Sequence, residues 1–286
     1  MRVRVVVILA LALLVAGCNA PADPGSPTRL TPAPLPETGP VEVAPGVTEA
    51  GVADPTALQD AHINRLANEG FTLRRVRTER YGNGTLRAQT TLVARFPGDG
   101  RYYVARTFAG PAHNRIGTAE RVLQYGDANG TVRLVRAPNG TVLSRSVRRA
   151  PSGAVPRTGL LAAPFAGRTV TLVARGAAFG PPTPLDSRSA YRLRADAVAD
   201  RAAVRSLLSP TLMDSLGNLT ATLVVTEQGL IARLTIAYTV ERDGEIIRVS
   251  RKVRYINVGT TTLDRPRWAV NATRQATGVR STTVPS

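Results

Sequence analysis

The chain is 286 residues long and carries 37 Lys plus Arg against 20 Asp plus Glu, a formal charge of +17, and all of the cations are arginines except Lys252. At 43% hydrophobic and 20% charged residues it has a globular composition, which excludes wholesale disorder and a protein of many membrane spans. One cysteine (Cys18) and two histidines (His62, His113) exclude by count a zinc cluster, a disulfide framework and a Cys/His nucleophile pair in the folded part.

The N-terminus reads as an export signal. Arg2 and Arg4 precede an uncharged run from Val5 to Ala16, which is shorter than the roughly 20 residues a membrane-crossing helix needs. Leu14-Val15-Ala16-Gly17 then leads into Cys18, and small residues before a lone cysteine are similar to the lipobox of secreted lipoproteins, so Cys18 is the expected lipidation site. No twin-Arg pair precedes the run, which favours the general secretory route. Loss of residues 1–17 removes two arginines and no acid, leaving a charge of +15. Residues 18–46 hold eight prolines, from Pro21 to Pro45, and are expected to form an extended stalk without strands. Residues 47–286 are expected to form one globular α+β domain.

A helix is predicted over Pro55–Glu69, with Asp54 as N-cap, Pro55 in the first position and Gly70 beyond the end. Leu58, Ala61, His62, Arg65 and Leu66 share one stripe, so His62 reads as a packed histidine with one local hydrogen bond. Strands follow at Phe71–Arg80, Thr85–Phe96, Arg101–Ala109, Thr131–Arg136 and Thr141–Arg148, joined by Gly/Asn/Pro turns typical of hairpins. The proline-broken stretch 150–189 leaves room for a short helix near Thr158–Phe165 and a strand near Thr169–Arg175. Asp200 caps a second helix through Leu208, and Ser209-Pro210 restarts a turn that Gly217 closes.

The C-terminal third can be registered from side-chain alternation alone. A turn at Asp243-Gly244 sets Val240 opposite Ile247, Tyr238 opposite Val249, Leu234 opposite Val253 and Ala232 opposite Tyr255. A turn at Gln228-Gly229 sets Val225 opposite Ala232, Leu223 opposite Leu234, Ala221 opposite Ile236 and Leu219 opposite Tyr238. The apolar faces coincide in both hairpins, and a one-residue slip destroys the agreement, so a three-strand meander with one buried face is predicted. Arg251, opposite Ile236, is the misfit and is expected near a rim or mouth where its head meets water.

Arg248, Lys252 and Arg254 alternate with the apolar set, and similar alternation in Arg133–Arg136 and Tyr191–Arg194 predicts a basic outer face. It reads either as arginine solvating an exposed sheet or as a patch for anionic lipid or an acidic envelope polymer. Nucleic acid is not expected as a partner: aromatics are 5% of the chain and no recognition motif is present. Asn83, Asn129, Asn139, Asn218 and Asn271 each begin an Asn-x-Thr sequon, three of them Asn-Gly-Thr; these read either as hairpin-turn chemistry or as glycosylation sites on an exported chain. No nucleophile elbow, phosphate loop, dinucleotide fingerprint, His-Glu-x-x-His or EF-hand spacing occurs, so no catalytic residue, metal or cofactor is assigned and an enzyme is not expected.

The run Gly46-Val47-Thr48-Glu49-Ala50-Gly51-Val52-Ala53-Asp54, the helix after it, Tyr255-Ile256-Asn257-Val258-Gly259-Thr260-Thr261 and Arg265-Pro266-Arg267-Trp268 resemble a family of haloarchaeal surface lipoproteins. More remotely, a helix followed by meanders, ending in Val-Gly-Thr-Thr and Pro-x-Trp, is similar to the half-barrels of bacterial lipoprotein carriers and mycobacterial glycolipid carriers. That resemblance implies a curved antiparallel sheet packed on one or two helices, with an apolar cavity. The expected function is a surface lipoprotein anchored by lipid at the extracytoplasmic face of the cell membrane, whose half-barrel binds an apolar or lipid-like ligand. Leu223, Leu234, Ile236, Tyr238, Val249, Val253 and Tyr255 are its candidate wall. The alternative is a non-catalytic structural or interaction module of the envelope.

Overall fold

The chain folds around one long antiparallel sheet, and the computed structural model describes residues 40–112, 119–150, 168–185, 189–207 and 216–278. A small antiparallel sheet comes first, of β1 (Glu42–Ala44), β2 (Val47–Thr48) and β3 (Gly51–Val52). The folded part therefore begins before residue 47, which corrects the expected stalk boundary. Pro40 and Pro45 flank the three residues of β1 and remove no ladder donor from within it. Gly46, at φ +74°, makes the turn, and a Cβ there would lie 2.1 Å from the Asp54 carbonyl oxygen, so the site admits only glycine.

Helix α1 (Pro55–Asn68) starts as expected: the Asp54 carboxylate accepts from Thr56 N at 2.8 Å and Ala57 N at 3.0 Å. Leu58, His62 and Leu66, spaced by four, are its buried stripe. Arg65 lies off that stripe and pairs with Glu69 on the exposed side.

The long sheet contains β4 (Phe71–Tyr81), β5 (Leu86–Phe96), β6 (Tyr102–Ala109), β7 (Arg121–Asp127), β8 (Gly130–Arg136) and β9 (Val142–Arg149). After helix α2 (Arg168–Gly176) come β10 (Thr183–Pro184) and β11 (Ala190–Ala195), then helix α3 (Arg201–Leu207). The chain ends through β12 (Gly217–Thr226), β13 (Ile231–Arg242), β14 (Glu245–Ile256) and helix α4 (Arg267–Gly278). Strand order is β10-β11-β12-β13-β14-β4-β5-β6-β7-β8-β9, antiparallel throughout. The long-range pairing of β14 with β4 fuses two meanders into one curved sheet that stays unclosed, with β10 and β9 as its edges. The α+β half-barrel class is thus observed.

The predicted registers hold at their centres. Leu234 pairs Val253, Tyr238 pairs Val249 and Val240 pairs Ile247; Leu223 pairs Leu234 and Ala221 pairs Ile236. Asp243 and Gly244 both take positive φ, +55° and +77°, as the two-residue turn demands. The ends differ. A bulge shifts β12 against β13, so Val225 faces Ile231, and Ile231 replaces Ala232 as the buried residue. A second shift between Gly217 and Thr220 breaks the simple Leu219–Tyr238 pairing and takes Gly217 into the strand. Tyr255 pairs Leu73 across the β14–β4 seam.

Helices α1, α2 and α3 add Leu58, Leu66, Val170, Val173 and Val204 to the core on one face of the sheet. Thr169–Arg175, expected as a strand, is helical: Val170, Val173 and Ala174 fall at i, i+3 and i+4 and are buried, a spacing that serves a helix stripe. Helix α4, which propensity did not announce, covers the other face at the far edge, where Leu263, Ala269 and Ala272 pack on Tyr125 and Val132. Helix α3 is capped by Asp200 as predicted, while the segment near Thr158–Phe165 and the turn at Ser209-Pro210 lie outside the described residues.

Candidate functional site on the inner face

The inner face of the curved sheet changes character across the β14–β4 seam. On β12–β14 it is aliphatic and aromatic: Leu223, Leu234, Ile236, Tyr238, Val249, Val253 and Tyr255 all lie within one cluster, none more than 4% exposed. These candidate wall residues are thus brought together and are buried in the protein alone. His62 of α1 stands against them, its ring edge-on to Tyr255 at 4.8 Å, and its Nδ1 accepts from Ile231 N at 3.3 Å. It is packed, as expected, but this bond is not local: Ile231 lies 169 residues away and is brought to α1 by the fold. Burial holds the Tyr255 phenol well above its usual range, with Arg75 pulling weakly the other way.

Beyond the seam the same face stays apolar at its Phe71 end, through Leu73, Leu92, Ala94 and Phe96, and turns basic only toward the middle of β4, where Arg251 of β14 adjoins it. Cross-strand rows run Leu234, Val253, Arg75, Leu92, Arg106, and next to it Ile236, Arg251, Arg77, Thr90. Four half-buried arginines therefore converge mid-sheet. Arg251 is not at a rim: it lies mid-strand, flanked by Ile236 and Arg77, with its guanidinium 5.7 Å from the Tyr238 ring centroid. The nearby acid is Glu79, which Arg77 reaches at 2.5 Å and Arg87 at 2.6 Å. The Nε atoms of Arg77 and Arg251 and the Tyr238 hydroxyl are buried without hydrogen-bond partners. Burial, then the neighbouring Arg106 and Arg251, lower the Arg75 pKa from the usual arginine value. Burial likewise lowers that of Arg251, with Tyr238 opposing and Arg77 adding to the shift. Sequence reading located only Arg251. The alternation Phe71, Leu73, Arg75, Arg77, Glu79 on β4 was the signal for the rest, because cross-strand partners share a face.

The outer face is basic as predicted. Arg248, Lys252 and Arg254 are exposed; Arg233 and Arg74 face Arg254 from either side, and Arg80 faces Arg248. Arg133 and Arg136 do not form one stripe: Arg133 aligns with Gln124 and Val104 on the inner side, Arg136 with Arg121 and Thr107 on the outer. A polar groove of about 470 Å³ opens on the outer face between Arg74, Arg95, Asn257 and Thr260. Asn83, Asn129, Asn139, Asn218 and Asn271 are all exposed, and the Asn83 and Asn139 side chains accept from Thr85 N and Thr141 N in local turns. Cys18 lies outside the described residues. Among the described residues no three or more His, Cys, Asp or Glu come together, and no helix is long and apolar enough to cross a membrane.

Sheet and helices define an unclosed antiparallel half-barrel of the α+β class. No protein family matches the sequence, and no characterised protein matches it. Among solved structures the chain is similar to LprF from Mycobacterium bovis, at 10% identity over 74% of this chain and 96% of that one, with a TM-score of 0.37. It is also similar to a LolA superfamily protein from Nitrosomonas europaea, at 10% identity over 73% of this chain and 94% of that one, with a TM-score of 0.24. The fold class rests on this chain's own sheet.

Proposed function

We propose that the protein is an envelope lipoprotein, acylated at Cys18 and held at the extracytoplasmic face of the membrane, whose half-barrel binds an apolar or lipid-like ligand. The observation that carries this is the inner face: an aliphatic wall on β12–β14 adjoins a half-buried arginine strip drawn from β14, β4 and β6, with Arg251 and Arg77 side by side across the seam. A face made only to pack helices has no use for half-buried like charges set directly opposite one another across strands, since they repel. The seven wall residues form the back of the site, with Ile236 directly opposite Arg251 and Val253 directly opposite Arg75 in the register. The test is native mass spectrometry of the full chain purified from membranes. Bound lipid that leaves on delipidation and rebinds stoichiometrically is the expected result; a protein that carries none and binds none overturns the proposal.

A second reading, an interaction module of the envelope, is favoured by the outer face. Arg233, Arg254 and Arg74 oppose one another directly across three strands, an arrangement that costs stability unless an anionic surface lies nearby. In that reading acidic polymer or anionic lipid docks on the convex side, and the exposed sequon turns carry glycans.

A further inference from the structure

We infer that the inner arginine strip, formed by Arg75, Arg77, Arg106 and Arg251, is a receptor for the oxyanion headgroup of an anionic amphiphile, with the apolar wall of β12–β14 receiving its chain. This rests on the reading of the inner face as a lipid-like binding surface, and it names the ligand's chemistry. Arg251 and Arg77 are direct cross-strand partners, and Arg75 lies two residues along β4 from Arg77 on the same face. Like charges directly opposed across strands are destabilising, and half-buried ones more so because water screens them less. Glu79 is the acid beside this strip and is shared by Arg77 and Arg87, so the five guanidinium groups around it keep a charge of about +4 in this simple count.

The donors that remain are the right kind. A guanidinium presents a planar fork that binds phosphate or carboxylate oxygens in pairs, which an ammonium cannot reproduce, and the strip contains arginines alone. Arg77 Nε and Arg251 Nε are buried and unpartnered, and the Tyr238 hydroxyl beside Arg251 is a third buried group without a partner. An oxyanion placed among them satisfies these donors and offsets the repulsion between the arginines. Neutral fat lacks the charge. Inorganic phosphate has it but makes no use of Val253, Val249 and Ile236, which are buried in the core and which a chain reaches only by displacing the helix packing over them.

The experiment uses the full chain with four probes in a calorimeter: dihexanoyl phosphatidic acid, dihexanoylglycerol, dihexanoyl phosphatidylcholine and inorganic phosphate. Phosphatidic acid is expected to bind at least about tenfold more tightly than dihexanoylglycerol, as one charge-assisted hydrogen-bond set is worth that much. Phosphate is expected to compete only weakly. Arg251→Met should abolish the preference, bringing the charged and neutral lipids to equal affinity; Arg251→Lys, which keeps the charge and loses the fork, should restore only part of it. Equal binding of the charged and neutral lipids overturns the headgroup assignment while the proposed function stands. Phosphate binding as tightly as phosphatidic acid also overturns it, because the strip is then an anion site without a lipid. If none of the lipids binds, the proposed function fails and the inference falls with it.

Discussion

Leu234→Ala tests the register on which the inner face depends. Leu234 is wholly buried between Leu223 on one side and Val253 on the other. Truncation removes three carbons, about 2.4 kcal/mol at roughly 0.8 kcal/mol per buried CH₂. A residual cavity on the order of 50 Å³ adds about 1 kcal/mol at roughly 24 cal/mol per Å³, so the expected loss is about 3–4 kcal/mol. Urea denaturation of the full chain reads this as a midpoint lowered by roughly 1–2 M at an m-value of about 2–3 kcal/mol/M. Arg233→Ala is the matched control, one residue away on the exposed face and directly opposite Arg254. Its effect is expected within about 0.5 kcal/mol, with any gain coming from relief of like charge. A loss under about 1 kcal/mol at Leu234, or an equal loss at Arg233, refutes the register, since a one-residue slip exchanges the two faces.

Arg251→Met removes a half-buried cation opposed by Arg77, so thermal stability should hold or rise, by up to about 1 kcal/mol; a fall of more than about 2 kcal/mol in a melting experiment contradicts the repulsive account of the strip. Tyr255 is protonated in the fold with its pKa raised by burial, so its contribution is complete below the unfolded phenol value near about 10 and is lost as the pH rises from there toward the folded value. Alkaline titration followed at the phenolate absorbance should show Tyr255 ionising only as the protein unfolds, and ionisation of every tyrosine in the folded protein at the ordinary value would contradict this. Cys18→Ser should release the protein from the membrane fraction of fractionated cells, and unchanged partitioning would remove the anchor. Anionic vesicles should bind through the outer face in a salt-sensitive way, because the Debye length shrinks from about 8 Å at 0.15 M to about 3 Å at 1 M. Binding that survives 1 M salt, or that survives changing Arg248, Lys252 and Arg254 to Gln, would place the contact elsewhere.

Alternation and turn chemistry are local, which is why β12–β14 could be read as a registered meander and α1 as a capped helix before any coordinates. Each strand of that meander carries its own face assignment, and each two-residue turn sets its own pairing. The failures lie where a neighbour decides. Residues 169–175 hold β-branched residues that suit either state, and burial of Val170, Val173 and Ala174 together against the core selected the helix. The bulge that turns Ile231 inward is set where the β12–β13 turn meets α1, with Gly229 at φ +79° so close that a Cβ there would lie 2.6 Å from Ala61 Cβ. The inner arginine strip depends on the pairing of β14 with β4, residues some 180 positions apart. From the sequence, Arg251 is one misfit in one strand, and Arg75 and Arg77 are two cations in another. Only the seam places them on one face, half-buried and side by side, because cross-strand neighbours share a face whatever their distance along the chain.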